Sequence, residues 1–181
     1  EVSVQVVVNE RDLDLIEERI DVAIRVGSLA DSSLISRKIA QMHGWMLASP
    51  AYLSKNGTPT HPMDLAQHSN LIYRHNQEPV TLPFTRGKEH LEVTLSSRCA
   101  ANSVALVRQL TIGGLGIGFL PPILAHEDLA SGRLVRLLPD WTTTSLAIYA
   151  VYPSRKNLAQ KVRTFIDLLA EKVNSETVQG A

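Results

Sequence analysis

The sequence predicts an α/β fold divided between two small sheets, and three observations predict it. A strand, a helix and a second strand fit within residues 2–26, which makes one compact βαβ unit. Apolar strand-like runs that end at a Gly or Pro turn recur along the chain, at Asp21-Val22-Ala23-Ile24-Arg25-Val26-Gly27, Ala48-Ser49-Pro50-Ala51-Tyr52-Leu53 and Gly116-Ile117-Gly118-Phe119-Leu120-Pro121. The chain then ends on a strand followed by an amphipathic helix. So many strands in 181 residues suit two small, mostly parallel sheets better than one large one.

Taken in order, Val2, Val4, Val6 and Val8 alternate with polar residues and predict a strand over 2–8, closed by Asn9. Residues 11–19 predict a short helix with Leu13, Ile16 and Ile20 on one side. Val22-Ala23-Ile24 is a buried strand, and 34–41 and 45–48 are two more. Ser49 caps a helix that Pro50 opens and Asn56-Gly57 closes. A second helical turn spans 60–68. Residues 71–99 are rich in strands, with a turn over His75–Pro79 and a hairpin at Gly87-Lys88. Val104, Val107, Leu110 and Thr111 share one face of a helix that starts at Asn102 and stops at Gly113-Gly114. Ile117–Leu120 is a strand, and Pro121-Pro122 starts a helix to about residue 130. Leu134–Leu138 and Leu146–Tyr152 are strands. The last helix runs over 157–172 on Leu158, Val162, Phe165, Ile166, Leu169 and Val173, with a polar tail over 175–181.

Lys plus Arg and Asp plus Glu are 18 each, so the chain has no global pull on nucleic acid. No apolar run reaches the roughly 20 residues that span a bilayer, so no membrane partner is expected. Cys99 is the single cysteine, which rules out an internal disulfide and suits a reducing, cytoplasmic setting. The chain opens on Glu1, not Met, and reads as a fragment or a processed start.

Chemistry for an enzyme is missing. Ser49 sits in Ala-Ser-Pro, unlike the Gly-x-Ser-x-Gly elbow of a hydrolase. The six histidines form no His-x-His or His-x-x-x-His pair, so no metal and no cofactor is expected. Asp64 and His68, four residues apart, read as a surface or loop-pinning pair. Gly113-Gly114-Leu115-Gly116-Ile117-Gly118 closes a helix and enters a strand, the reverse of a dinucleotide loop, and so reads as a helix C-cap and tight turn. Three places suit a small molecule. Arg25 reaches for an anion such as a carboxylate, beside Gly27, where backbone can approach closely. Asn102 and Ser103 stand at a helix N-terminus, where backbone N–H groups attract negative charge. Phe119-Leu120-Pro121 ends a strand and can wall a pocket. Each also has a structural reading, as a strand-end charge, an N-cap and core packing respectively.

The order and spacing of further segments extend these. They are Asp31-Ser32-Ser33-Leu34, Gly57-x-Pro59, Asp64-Leu65-x-x-His68, Gly114-x-Gly116-Ile117-Gly118-x-Leu120-Pro121, Gly132-x-Leu134-Val135-x-Leu137-Leu138-Pro139-Asp140-Trp141, Tyr149-Ala150-Val151-Tyr152-Pro153 and Lys161-Val162-Arg163-x-Phe165-Ile166-Asp167. With the first three runs they resemble the effector-binding domain of the LysR-type transcriptional regulators over residues 2–170. The resemblance implies a fold like the type 2 periplasmic binding proteins, with two Rossmann-like lobes joined by two crossover strands. Lobe I would be 1–43 plus 140–174 and lobe II 44–139. It implies an effector cleft lined by Val8-Asn9, Arg25-Val26-Gly27, Ala101-Asn102-Ser103 and Phe119-Leu120-Pro121. It also implies homodimers or tetramers, paired through the 2–8 strand and the 102–112 helix. A winged helix-turn-helix, a linker helix, and the effector domain's first strand and helix would precede Glu1, and promoter DNA would bind through that N-terminal domain. The competing reading is a solute-binding protein of a transport system.

Overall fold

The computed structural model describes residues 3–9, 13–27, 29, 34–73, 79–95, 97–143, 145–153 and 159–179, with the backbone alone at Arg98 and 174–179. Asp31-Ser32-Ser33, residues 75–78 of the expected turn over His75–Pro79 and the expected helix start at Asn157-Leu158 lie outside these residues. The strands are β1 (Ala23–Val26), β2 (Ile35–His43), β3 (Trp45–Ala48), β4 (Asn70–Tyr73), β5 (Val80–Arg86), β6 (Glu89–Leu95), β7 (Ser97–Ala101), β8 (Ile117–Leu120), β9 (Val135–Arg136), β10 (Thr142–Thr143) and β11 (Ser145–Tyr152). The helices are α1 (Pro50–Asn56), α2 (Val104–Ile112), α3 (Pro122–Ala130) and α4 (Gln160–Gln179), with a 3-10 helix over Pro62–Gln67. The chain forms two compact units: Glu1–Met42 with Leu146–Ala181, and His43–Ser145.

The first unit carries a three-stranded sheet in the order β1-β11-β2. β1 runs antiparallel to β11, with Arg25 opposite Tyr149. Val162 and Ile166 of α4 pack on Ile39, Ala40, Ile148 and Ala150. This seats the stripe read from the sequence, at about 1.5–3 kcal/mol per large side chain buried. α4 runs on to Gln179, past the expected end at Lys172.

Three expectations fail in this unit. Val22-Ala23-Ile24 does not lie in a buried parallel strand: β1 is an edge strand, antiparallel to β11, with Ile24 45% exposed. Residues 3–9 form no strand. Val4, Val6, Val7 and Val8 are exposed, Val8 at 92%. Alternation alone cannot make a strand, because its backbone groups need a neighbouring strand, and the sheet of this unit takes none from 3–9. The expected helix over 11–19 is, in its described part, a turn at Leu15–Arg19. The Asp14 carboxylate accepts from the backbone N–H groups of Ile16 (2.8 Å) and Glu17 (3.1 Å), and Arg19 closes the turn at φ 55°. Leu15, not Ile16, is the buried residue.

The second unit holds a five-stranded sheet, β7-β4-β8-β3-β9, and a three-stranded one, β10-β5-β6. β4 lies parallel to β7 and β8, whereas β3 is antiparallel to β8 and β9. The five-stranded sheet is therefore mixed and the three-stranded one antiparallel, not mostly parallel as expected. β5 and β6 are joined by a tight turn at Gly87 (φ 60°), and so short a connection permits only antiparallel pairing. The five-stranded sheet is covered on both faces. Met46, Ala48, Ile72 and Ile117 join Tyr52, Leu65, Phe84 and Trp141 in one core. Leu47, Leu71 and Leu120 join Val107 of α2 and Ala125 of α3 in the other. The period-2 alternation of side chains along β3, β4 and β8 sorts neighbours such as Met46 and Leu47 between the two cores.

Candidate functional site

Parallel pairing of β7 and β8 with β4 brings three strand ends to one edge of the five-stranded sheet: Tyr73, Ala101 and Leu120. Tyr73 stands opposite Ala101 in the register. α2 and α3 both start at this edge, immediately after Asn102-Ser103 and Pro121. Ser103 caps α2, its hydroxyl accepting from Leu106 N–H at 3.4 Å. Pro121 is the N-cap of α3 and gives it no side-chain cap. Two helix N-termini thus converge on the carboxyl ends of parallel strands, the arrangement that favours an anionic group in open α/β sheets.

The residues expected from the sequence fall into two groups. In the second unit Ala101-Asn102-Ser103 and Phe119-Leu120-Pro121 come together at this edge. Asn102 is exposed and Ser103 half-buried. Leu120 is fully buried in the core against α2 and α3, whereas the half-buried Phe119 packs on the opposite core. The two side chains therefore lie on opposite faces, and only Phe119 retains an exposed part. In the first unit Arg25 and Val26 end β1, and the Gly27 N–H extends the pairing to Ala147 O at 2.9 Å. Gly27 has φ 95° with nothing within 4 Å of a built Cβ, so backbone conformation, not crowding, calls for glycine. Val8 and Asn9 lie in irregular chain.

Sequence reasoning missed Tyr73, because a run such as Leu71-Ile72-Tyr73 shows a strand but not which strand lies beside it. It also missed Trp45, which stands opposite Leu120 in β3 and carries the Arg136 guanidinium 4.1 Å from its ring centroid. The glycine run is structural, as expected. Leu115 N–H donates to Leu110 O and Gly114 N–H to Thr111 O, each at 3.1 Å, with Gly114 at φ 76°. This is a Schellman end to α2. Side chains at Gly116 and Gly118 would collide with Ser69 O and Thr111 Oγ1.

Asp64 and His68 turn out to serve different partners. The Asp64 carboxylate accepts from the N–H groups of Thr60 (3.0 Å) and His61 (2.9 Å) and pins the start of the 3-10 helix. Those donors hold its pKa below the ordinary 3.8. His68 Nδ1 lies 3.1 Å from the Tyr52 hydroxyl. Among the described residues no cluster of three or more His, Cys, Asp or Glu can hold a metal ion, and no helix is long and apolar enough to cross a membrane.

A mixed α/β fold in two units, with two helix N-termini at the carboxyl ends of parallel strands, defines the class of α/β domains that bind ligands at a sheet edge. The family described as the LysR substrate binding domain matches residues 1–174. The chain belongs to that family, as the effector-binding regulatory domain of a LysR-type transcriptional regulator. It is 35% identical over 175 residues to the HTH-type transcriptional regulator PtxR of Pseudomonas aeruginosa, covering 97% of this chain and 56% of that one. Among solved structures, CrgA from Neisseria meningitidis superposes with a TM-score of 0.74 at 33% identity, covering 87% of this chain and 54% of that one. The regulatory domain of AphB in Vibrio vulnificus gives 0.66 at 40% identity, covering 86% and 75%. The chain thus spans about half the length of the curated relatives it matches, and the fold is that of the family's two-lobed, periplasmic-binding-protein-like effector domain.

Proposed function

We propose that this domain senses a small molecule carrying an anionic group, such as a carboxylate, and passes its occupancy to promoter binding by a winged helix-turn-helix of the whole protein. The observation that carries the reading is the convergence of two helix N-termini on the carboxyl ends of β7, β4 and β8. Ala101, Asn102, Ser103, Phe119, Leu120 and Pro121 form the second unit's share of the effector site, with Leu120 and Ala101 acting through their backbone. Val8, Asn9, Arg25, Val26 and Gly27 are the first unit's candidate effector contacts, with Arg25 the cationic one. The two compact units are the lobes of this reading. The working assembly is a homodimer or a tetramer, and the effector shifts a two-state equilibrium by binding one state more tightly than the other.

A thermal-shift screen of small carboxylates tests the site. At least one is expected to raise the unfolding midpoint of the wild type, with the rise lost in Asn102→Ala and Arg25→Ala. A screen in which no carboxylate stabilises the protein, or in which both variants respond like the wild type, contradicts the assignment.

A further inference from the structure

The chain passes between its two units twice, at Met42–His43 and Ser145–Leu146. Just inside the second unit, two contacts join these passages and a third seats a side chain of β8 on the first. The Thr143 hydroxyl donates to Gly44 O at 2.7 Å in a buried bond. His43 Nδ1 lies 3.1 Å from Thr143 O. The Phe119 ring rests on Gly44, so that a Cβ built there would collide with three of its ring carbons. Gly44 is buried and Thr143 is 8% exposed, whereas His43 is exposed. Phe119 itself is half-buried, one residue from the end of β8, at the edge where Ala101, Leu120 and two helix N-termini meet.

We propose that Phe119 is a positioning residue that links occupancy of this edge to both chain passages. Its ring is the group nearest a Cβ built on Gly44, and Gly44 in turn holds Thr143 of the other passage. A ligand that displaces the ring removes the roof over Gly44. The Thr143–Gly44 bond and the His43 contact then carry the change to the second passage. The inference rests on the regulator reading above and adds a route for its signal. Packing alone also seats a phenylalanine in an apolar cluster, so the test compares Phe119 with an ordinary member of the same cluster. That control is Leu82, 7% exposed.

The experiment is a gel-shift of the full-length natural gene product on its own upstream DNA with no ligand added. The variants are Phe119→Ala, Gly44→Ala, Thr143→Val and the Leu82→Ala control. Phe119→Ala and Gly44→Ala are each expected to change the apparent Kd about fivefold or more, the lower end of ordinary allosteric coupling. The double variant Gly44→Ala, Phe119→Ala should change less than the two singles combined, because removing the ring makes room for the Cβ. Thr143→Val, which removes one hydrogen bond and keeps the side-chain volume, should act in the same direction and serves if the larger changes impair folding. If Phe119→Ala, Gly44→Ala and Thr143→Val bind DNA as Leu82→Ala does, the inference is overturned and the regulator reading stands. If the wild type itself fails to retain the DNA, the regulator reading falls and the inference falls with it.

Discussion

Asp64 shows how one carboxylate fixes a local structure. It accepts from two backbone N–H groups and carries a lowered pKa because those bonds favour the charged form. A carboxyl whose folded pKa is depressed contributes stability that is present above its unfolded value. That contribution is lost as pH falls through the folded one. The unfolding midpoint of the wild type should therefore fall more steeply below about pH 3.8 than that of Asp64→Asn, as followed by circular dichroism. Parallel curves would show that the carboxylate does not hold the turn. Gly116 fixes a different point. Its missing side chain lets β8 approach Ser69, whose carbonyl O lies where a Cβ would go. Gly116→Ala must move backbone and should cost about 1–3 kcal/mol in urea unfolding. Both residues were singled out from the sequence. His68 was too, but its Tyr52 partner was not readable, because sixteen residues of chain separate them.

Helices α2 and α3 are tied by a buried charge cluster that no periodicity reveals. Asp128 is fully buried and receives Arg108 through Nε (2.6 Å) and a terminal guanidinium nitrogen (3.0 Å), with Arg133 at 2.7 Å. Removing one member of a buried pair leaves an uncompensated charge. Arg108→Met should cost about 3 kcal/mol in urea unfolding. Arg133→Met, from an arm about half exposed, should cost nearer 1 kcal/mol. Equal costs for the two variants would contradict the division between them. Most elements were readable: the Ser49 cap, the Gly87 hairpin, the Gly113-Gly114 stop and the stripe of α4 all rest on local rules. The failures lie where a local pattern needed a distant partner. Val4, Val6 and Val8 alternate like a strand yet join no sheet among the described residues, and the parallel sheets expected from βαβ order gave one mixed sheet, once β3 paired with β8, and one antiparallel sheet.

For the molecule as a whole, the family and the two-lobed fold could be read from ordered segments spread over most of the chain, since turns and strand ends keep their spacing. The proposed site could be read only in pieces. Asn102-Ser103 and Phe119-Leu120-Pro121 were visible as strand-to-helix junctions, but their meeting at one sheet edge depends on both β7 and β8 choosing β4 as neighbour. The same topology makes Phe119 and Leu120 face opposite cores, which a three-residue window cannot show. The central claim is that this domain regulates DNA binding in response to a small molecule. A gel-shift of the full-length gene product on its own upstream DNA, repeated with a carboxylate found to stabilise the domain, tests it most directly. The expected result is specific retention in competition with unrelated DNA, and a change in affinity or in the retained species when the carboxylate is added. Retention no better than on unrelated DNA, or a pattern indifferent to a ligand that binds, would contradict it.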